Sequence, residues 1–82
     1  MRKQLELLRD CLMKNGYQND SEKNDEIIID IQNGNPQNAM ERLIEMCNPR
    51  YLGDLNIAEF DSVYNWWNFL AEISQMAKNQ NI

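Results

Sequence analysis

The chain has 82 residues and a mass of 9.7 kDa, so it makes one small domain spanning residues 1–82, with a folded surface near ~5,000 Å² and no room for a second core. Hydrophobic residues at 43% and charged residues at 26% exclude a disordered chain. Thirteen acids against eight bases give a net charge of −5, which disfavours direct binding to nucleic acid or to an anionic bilayer and favours a cationic protein partner.

The first predicted helix covers residues 2–15. Leu5, Leu8 and Leu12 recur at i, i+3 and i+7, with Leu7, Cys11 and Met13 widening the stripe. Gly16 follows as the residue that takes a left-handed conformation at a helix end. Residues 17–20 are polar, and Asp20 or Ser21 is placed to cap the next helix.

Residues 22–32 contain the β-branched run Ile27-Ile28-Ile29, which taken alone suits a buried strand. No other segment offers it a pairing strand, and a lone strand leaves its backbone groups unsatisfied. The segment is therefore read as a helix that buries Ile27, Ile28 and Ile31 and leaves Ile29 at the edge. Gly34-Asn35-Pro36 then closes one helix and opens another, since proline in a first turn loses no hydrogen bond. The third helix runs over 36–47, with Ala39, Met40, Leu43, Ile44, Met46 and Cys47 as its apolar set, and Asn48-Pro49 ends it.

Residues 50–55 form an irregular loop whose Tyr51, Leu52 and Leu55 tuck under the bundle. Asn56-Ile57-Ala58-Glu59 fits a capping box with Leu55 as its staple, so the fourth helix is expected over 57–78. Its stripe is Phe60, Val63, Trp67, Leu70 and Ser74, broadened by Tyr64, Trp66, Phe69, Ile73, Met76 and Ala77. That breadth makes it the expected central element, with residues 79–82 frayed. The fold class is all-α: a compact antiparallel bundle of four helices.

Little in the sequence supports catalysis. There is no histidine, no nucleotide-binding glycine loop and no hydrolase or metalloprotease motif. Cys11 and Cys47 stand thirty-six positions apart without zinc-site or redox-motif spacing, and among apolar neighbours they read as core thiols. The chain is expected to be no enzyme, to hold no metal and to use no cofactor. A charged N-terminal stretch in place of a signal peptide, with no long apolar run, points to a cytoplasmic protein.

Charge is segregated. Residues 1–16 hold four bases and two acids, net +2, whereas residues 17–82 hold eleven acids and four bases, net −7. The acids Glu22, Asp25, Glu26 and Asp30 on the second helix merge with Glu41 and Glu45 on the third if the two form a hairpin about Gly34. That surface is either a partner-binding face or a solvated one. Of the adjacent tryptophans, Trp67 is in register with Phe60, Val63 and Leu70 and is assigned to the core. Trp66 or Tyr51 is then the exposed aromatic anchor.

The stretch 25–47 has an acidic aliphatic helix (Asp25-Glu26-Ile27-Ile28-Ile29-Asp30), a glycine turn and Asn38-Ala39-Met40-Glu41-Arg42-Leu43. It resembles small helical immunity proteins of the MafI-like and contact-dependent-inhibition types. Those more often have Gly-Glu at the turn, where this chain has Gly34-Asn35-Pro36. The resemblance implies a cytoplasmic, non-enzymatic inhibitor that binds a cognate cationic toxin, often a nuclease. Two other functions suit the same small acidic chain. One is a phage- or plasmid-borne inhibitor that mimics nucleic acid. The other is a helical adaptor whose fourth helix is an oligomer interface.

Overall fold

In the structure, a computed structural model that describes residues 2–79, four helices run in chain order: α1 (Arg2–Lys14), α2 (Gln18–Gln32), α3 (Pro36–Met46) and α4 (Val63–Lys78). A single 3₁₀ turn, Leu52–Asp54, lies between α3 and α4. The bundle is all-α, as the periodicity predicts, and its exposed surface is 5199 Å². The expected fraying falls outside the described residues except at Asn79, whose N–H donates to the Gln75 carbonyl (3.1 Å).

Two glycine turns set the course of the chain. Gly16 and Gly34 both have φ of +86°. After each, the next N–H reaches back five residues, Tyr17 to the Leu12 carbonyl and Asn35 to the Asp30 carbonyl (2.9 Å each). Nothing lies within 4 Å of a methyl group built on either glycine. Alanine at position 34 therefore meets only the backbone penalty for a left-handed residue. Gly34→Ala is expected to lower unfolding stability by about 1–2 kcal/mol in a urea melt.

α1 and α2 pack antiparallel. The Ser21 hydroxyl donates to the Arg9 carbonyl (3.0 Å), and Asn24 Nδ2 donates to the Leu5 carbonyl (2.8 Å), so one helix ascends as the other descends. Ser21 is thus no cap. α2 already starts at Gln18 with Tyr17 before it, and neither Asp20 nor Ser21 closes its end; Asp20 lies in its first turn, where a negative charge suits the helix dipole. Ile27 and Ile28 are buried and Ile29 is exposed, as the helical reading of 22–32 expects, whereas Ile31, expected in the core, is only partly buried at its edge.

α2 packs on both α1 and α3, whereas α4 packs on α3 and the 3₁₀ turn. The second helix is therefore the more central one, contrary to the expectation for the fourth. α4 looked central because it is apolar nearly all round, yet Val63, Tyr64 and Trp67 stand exposed on its outer side. Leu7 and Met13, expected to widen the α1 stripe, are also half exposed.

The fourth helix begins six residues later than its sequence suggests. Residues 55–62 are held instead by the end of α1 and the turn beyond it. Asn15 Oδ1 accepts the Ala58 N–H (3.0 Å), Asn15 Nδ2 donates to Glu59 Oε1 (2.8 Å), and the Tyr17 hydroxyl accepts the Asn56 N–H (3.2 Å). The cap of α4 is Ser62, whose Oγ accepts the Asn65 N–H (3.2 Å). Ser62→Ala is expected to cost about 1 kcal/mol, and Asn56→Ala under about 0.5 kcal/mol, by paired denaturant melts.

Moving the helix start changes its phase. A stripe counted from Phe60 selects Trp67, but Phe60 precedes the helix and has no claim on its register. Counted within α4, Trp66, Leu70, Ile73 and Ala77 recur at i, i+4, i+7 and i+11, and all four are buried. Trp66 is 2% exposed and Trp67 38%, so the two roles expected from sequence are exchanged.

Candidate functional site

The six acids proposed from sequence divide into two groups. Asp25, Glu26 and Asp30 are held by arginines from neighbouring helices. Arg9 on α1 reaches Asp25 (Nη1–Oδ1, 3.2 Å), and Arg42 on α3 spans Glu26 (3.2 Å) and Asp30 (2.9 Å). Glu22, Glu41 and Glu45 are exposed and pair with no base among the described residues, although Glu22 accepts a hydrogen bond from Gln18 (3.3 Å).

Helix geometry explains this division except at Glu26, which lies on the outer side and is paired because Arg42 spans both it and Asp30. On α2 the buried Ile27 and Asn24 set the inner side; Asp25 then points to one flank, toward α1, and Asp30 to the other, toward α3. Glu22 and Glu26 lie on the outer side. On α3 the buried Ala39 and Leu43 place Glu41 and Glu45, one turn apart, on the side facing solvent. Each flanking acid thus meets an arginine across a helix seam. Such part-exposed pairs contribute modestly to stability and more to fixing how the helices align.

The structure draws Glu22, Asp25 and Glu26 together. With Arg9, Met13 and Ser21 they line one open depression between α1 and α2. Met13, half exposed, supplies an apolar wall beside the carboxylates. Glu41 instead lines a separate shallow depression at the α2–α3 turn, with Gly34, Asn35 and Pro36. The acidic band of α2 and α3 is thus a set of separate groups, with Glu22, Asp25 and Glu26 around one depression, Glu26 and Asp30 on Arg42, and Glu41 beside another depression, in place of an unbroken sheet of charge.

The aromatic anchors are distributed differently. Tyr51 is half-buried, and its hydroxyl accepts a hydrogen bond from Lys23 Nζ (2.9 Å), which raises the lysine pKa above its ordinary value. Tyr51 is thus tied to α2, on the helix that carries the acids. Trp66 cannot serve as an exposed anchor. Its ring packs with Phe60 (centroids 5.3 Å apart) and Phe69 (6.1 Å), and its Nε1 donates to the Leu52 carbonyl (2.8 Å). Trp67 Nε1 donates to the next carbonyl, Gly53 (2.9 Å), so the adjacent indoles grip consecutive peptide groups of the 3₁₀ turn. A methyl group at Gly53 would lie 3.0 Å from Trp67 Nε1, so a larger residue there would press on the indole.

Comparison with protein-family models, with curated proteins and with solved structures finds no match.

Both cysteines are buried and free. Burial pushes the Cys47 thiol up to about 12 and raises Cys11 as well, so neither is a thiolate nucleophile near neutral pH. Among the described residues, no three His, Cys, Asp or Glu side chains stand together as metal ligands. None of the described helices is long and apolar enough to cross a membrane. Glu59 is held below the usual carboxylate range by the Asn15 side-chain hydrogen bond, which fits its part in fastening residues 55–62 to α1.

Sequence reasoning missed Arg9 and Arg42 as partners of the acids. The spacing contained a signal. Once the glycine turns fix two antiparallel hairpins, Arg9 falls opposite the middle of α2, and Arg42 stands as far beyond Gly34 as Glu26 stands before it, with Asp30 one turn nearer.

Proposed function

We propose that this chain is a non-enzymatic acidic binding protein of the immunity type, which acts in the cytoplasm by holding and neutralising a cationic bacterial toxin. The observation that carries the reading is the outer side of α2 and α3, where Glu22, Glu41 and Glu45 are exposed and meet no base among the described residues and Asp25 and Glu26 join Glu22 around one depression. Even after Arg9 and Arg42 are counted, these six acids leave the band strongly negative. Such a field steers a positively charged surface and raises its association rate by 10- to 1,000-fold. A nuclease cleft built to hold phosphates is a surface of that kind. The resemblance of residues 25–47 to helical immunity proteins supports the same partner class.

The paired acids are poor choices for a test, since lysine at position 26 or 30 would also face Arg42 across the α2–α3 seam. Glu22→Lys, Glu41→Lys and Glu45→Lys combined reverse the exposed band without breaking an intramolecular ion pair. Affinity capture from the native host at low salt is expected to recover a basic protein with the wild-type chain. Its association rate should fall at least about tenfold with the triple variant and lose most of its salt dependence. Capture and kinetics unchanged by the triple variant would remove the acidic band from the binding surface.

A further inference from the structure

Two of the three glycines follow an asparagine, and both pairs, Asn15-Gly16 and Asn33-Gly34, close a helix. The two turns share their backbone. Both glycines have φ of +86°, and nothing lies within 4 Å of a methyl group built on either. Each glycine N–H makes one long hydrogen bond, Gly16 to the Met13 carbonyl (3.2 Å) and Gly34 to the Ile31 carbonyl (3.3 Å). With no Cβ beside it, a glycine nitrogen is open to approach, and it can attack the side-chain amide of an asparagine just before it. That reaction is one reason asparagine counts as a thermolabile residue.

The turns differ in what holds the asparagine side chain. Asn15 Nδ2 donates to the Cys11 carbonyl (2.7 Å) and to Glu59 Oε1 (2.8 Å), and Oδ1 accepts the Ala58 N–H (3.0 Å). Both of its amide hydrogens are engaged. Asn33 is exposed, and its side chain makes no hydrogen bond among the described residues.

We infer that Asn33 is a site of spontaneous covalent modification, where Gly34 turns its amide into a carboxylate through a cyclic imide, and that Ala58 and Glu59 shield Asn15 from the same fate. This reading is independent of the acidic band. The Gly34 nitrogen forms a bond to Asn33 Cγ, the Cγ–Nδ2 bond breaks, and Nδ2 leaves as ammonia with the proton that the Gly34 nitrogen gives up. Water then opens the imide at either carbonyl. Cleavage between Cγ and the Gly34 nitrogen yields aspartate; cleavage on the other side yields isoaspartate, whose main chain runs through Cγ. Either product carries one more negative charge than the parent chain.

At Asn15 the departing nitrogen has to part from Cys11 and Glu59, and Oδ1 from Ala58, so the reaction waits until residues 55–62 lift from α1. Three such bonds, each at the low end of its usual contribution, slow Asn15 by at least about tenfold relative to Asn33. At Asn33 the isoaspartyl product lengthens the main chain by one carbon inside the α2–α3 turn. The Asn35 N–H returns there to the Asp30 carbonyl (2.9 Å), and Asp30 meets Arg42 (2.9 Å), so the modification strikes the joint that aligns the two helices.

Peptide mapping by mass spectrometry, on the full chain held in warm buffer near pH 8, is the test. Conversion should appear first at Asn33, as paired aspartyl and isoaspartyl peptides, at least about tenfold ahead of Asn15. In concentrated urea the two sites should convert at similar rates, since nothing then holds Asn15. Glu59→Ala, at an exposed position, should speed Asn15 by about two- to tenfold and leave Asn33 unchanged. Asn33→Gln keeps an amide but needs a larger ring, and it should remove the early acidic product. An Asn15 that converts as fast as Asn33 in the folded chain overturns the inference. So does an Asn33 no faster than Asn38, which is exposed but has no glycine after it, or a Glu59→Ala chain in which Asn15 stays as slow as in the wild type.

Discussion

Trp66→Ala is expected to lower unfolding stability by about 3–5 kcal/mol, the range for truncating a fully buried aromatic side chain. An 82-residue domain has about 4–12 kcal/mol in total, so this variant stands at or past the threshold of folding. Three losses combine. The indole leaves its place against the Phe60 and Phe69 rings, the Leu52 carbonyl loses its donor, and the 3₁₀ turn loses one of its two anchors. Trp67→Ala should cost only about 1–2 kcal/mol, because that ring is already half in water and gives up mainly its bond to Gly53. Paired urea melts decide the order, and a costlier Trp67→Ala would contradict the core described above. Emission adds a check: with Trp67 replaced by phenylalanine, the remaining fluorescence should be blue-shifted and resist quenching by iodide.

The second large effect belongs to Asn24. Its side chain is fully buried between α1 and α2, Nδ2 donates to the Leu5 carbonyl, and Oδ1 has no partner. Asn24→Asp keeps the shape and replaces that donor with a carboxylate oxygen facing a carbonyl oxygen. An uncompensated buried charge costs about 3–5 kcal/mol, so the variant should be nearly unfolded at pH 7. The sign with pH follows from linkage. Burial raises the folded-state pKa of the new carboxyl above the ~3.9 of an unfolded aspartate. The protonated acid can donate to Leu5, so the variant's stability is fully present below that unfolded value and is lost as pH rises through the raised one. Urea midpoints at pH 4 and pH 7, compared with wild type, measure the difference. A variant as stable as wild type at pH 7 would mean that water or backbone movement relieves the site.

The helices were largely legible in the sequence because their ends are marked by backbone chemistry. Gly16, Gly34 and Pro36 act through φ and a missing N–H, and these effects depend little on what packs around them. The triple isoleucine was decided by the same local logic, since no partner strand exists for it. The failures came where side chains from distant positions intervene. Asn15 and Tyr17 capture residues 56–59, forty positions away, and no local pattern reveals that Asn56 opens a turn while Ser62 opens the helix. One wrong boundary then exchanged the tryptophans, because a stripe counted from Phe60 is rotated by one residue from the stripe that packs. Ser21 and Asn24 were unreadable for a related reason: polar residues enter the α1–α2 seam only because Arg9 and Leu5 present carbonyls there.

The acidic band was legible in composition and only half legible in arrangement. Glu22, Glu41 and Glu45 lie opposite the buried side of their helices, as periodicity shows, and meet no base among the described residues; Glu26 lies on that side too, but Arg42 reaches it. The arginine clamps on Asp25, Glu26 and Asp30 require the helices to be docked first. They change the character of the surface, from six independent charges to three that meet no base among the described residues, standing beside two ordered ion-pair clusters.

Hydrogen exchange of the chain alone and in the presence of the basic protein it captures tests the central claim most directly. The account predicts added protection on α2 between residues 22 and 30 and on α3 around residues 41–45, weakening as salt is raised. Protection confined to α4, with the outer side of α2 and α3 exchanging as in the free chain, would contradict it.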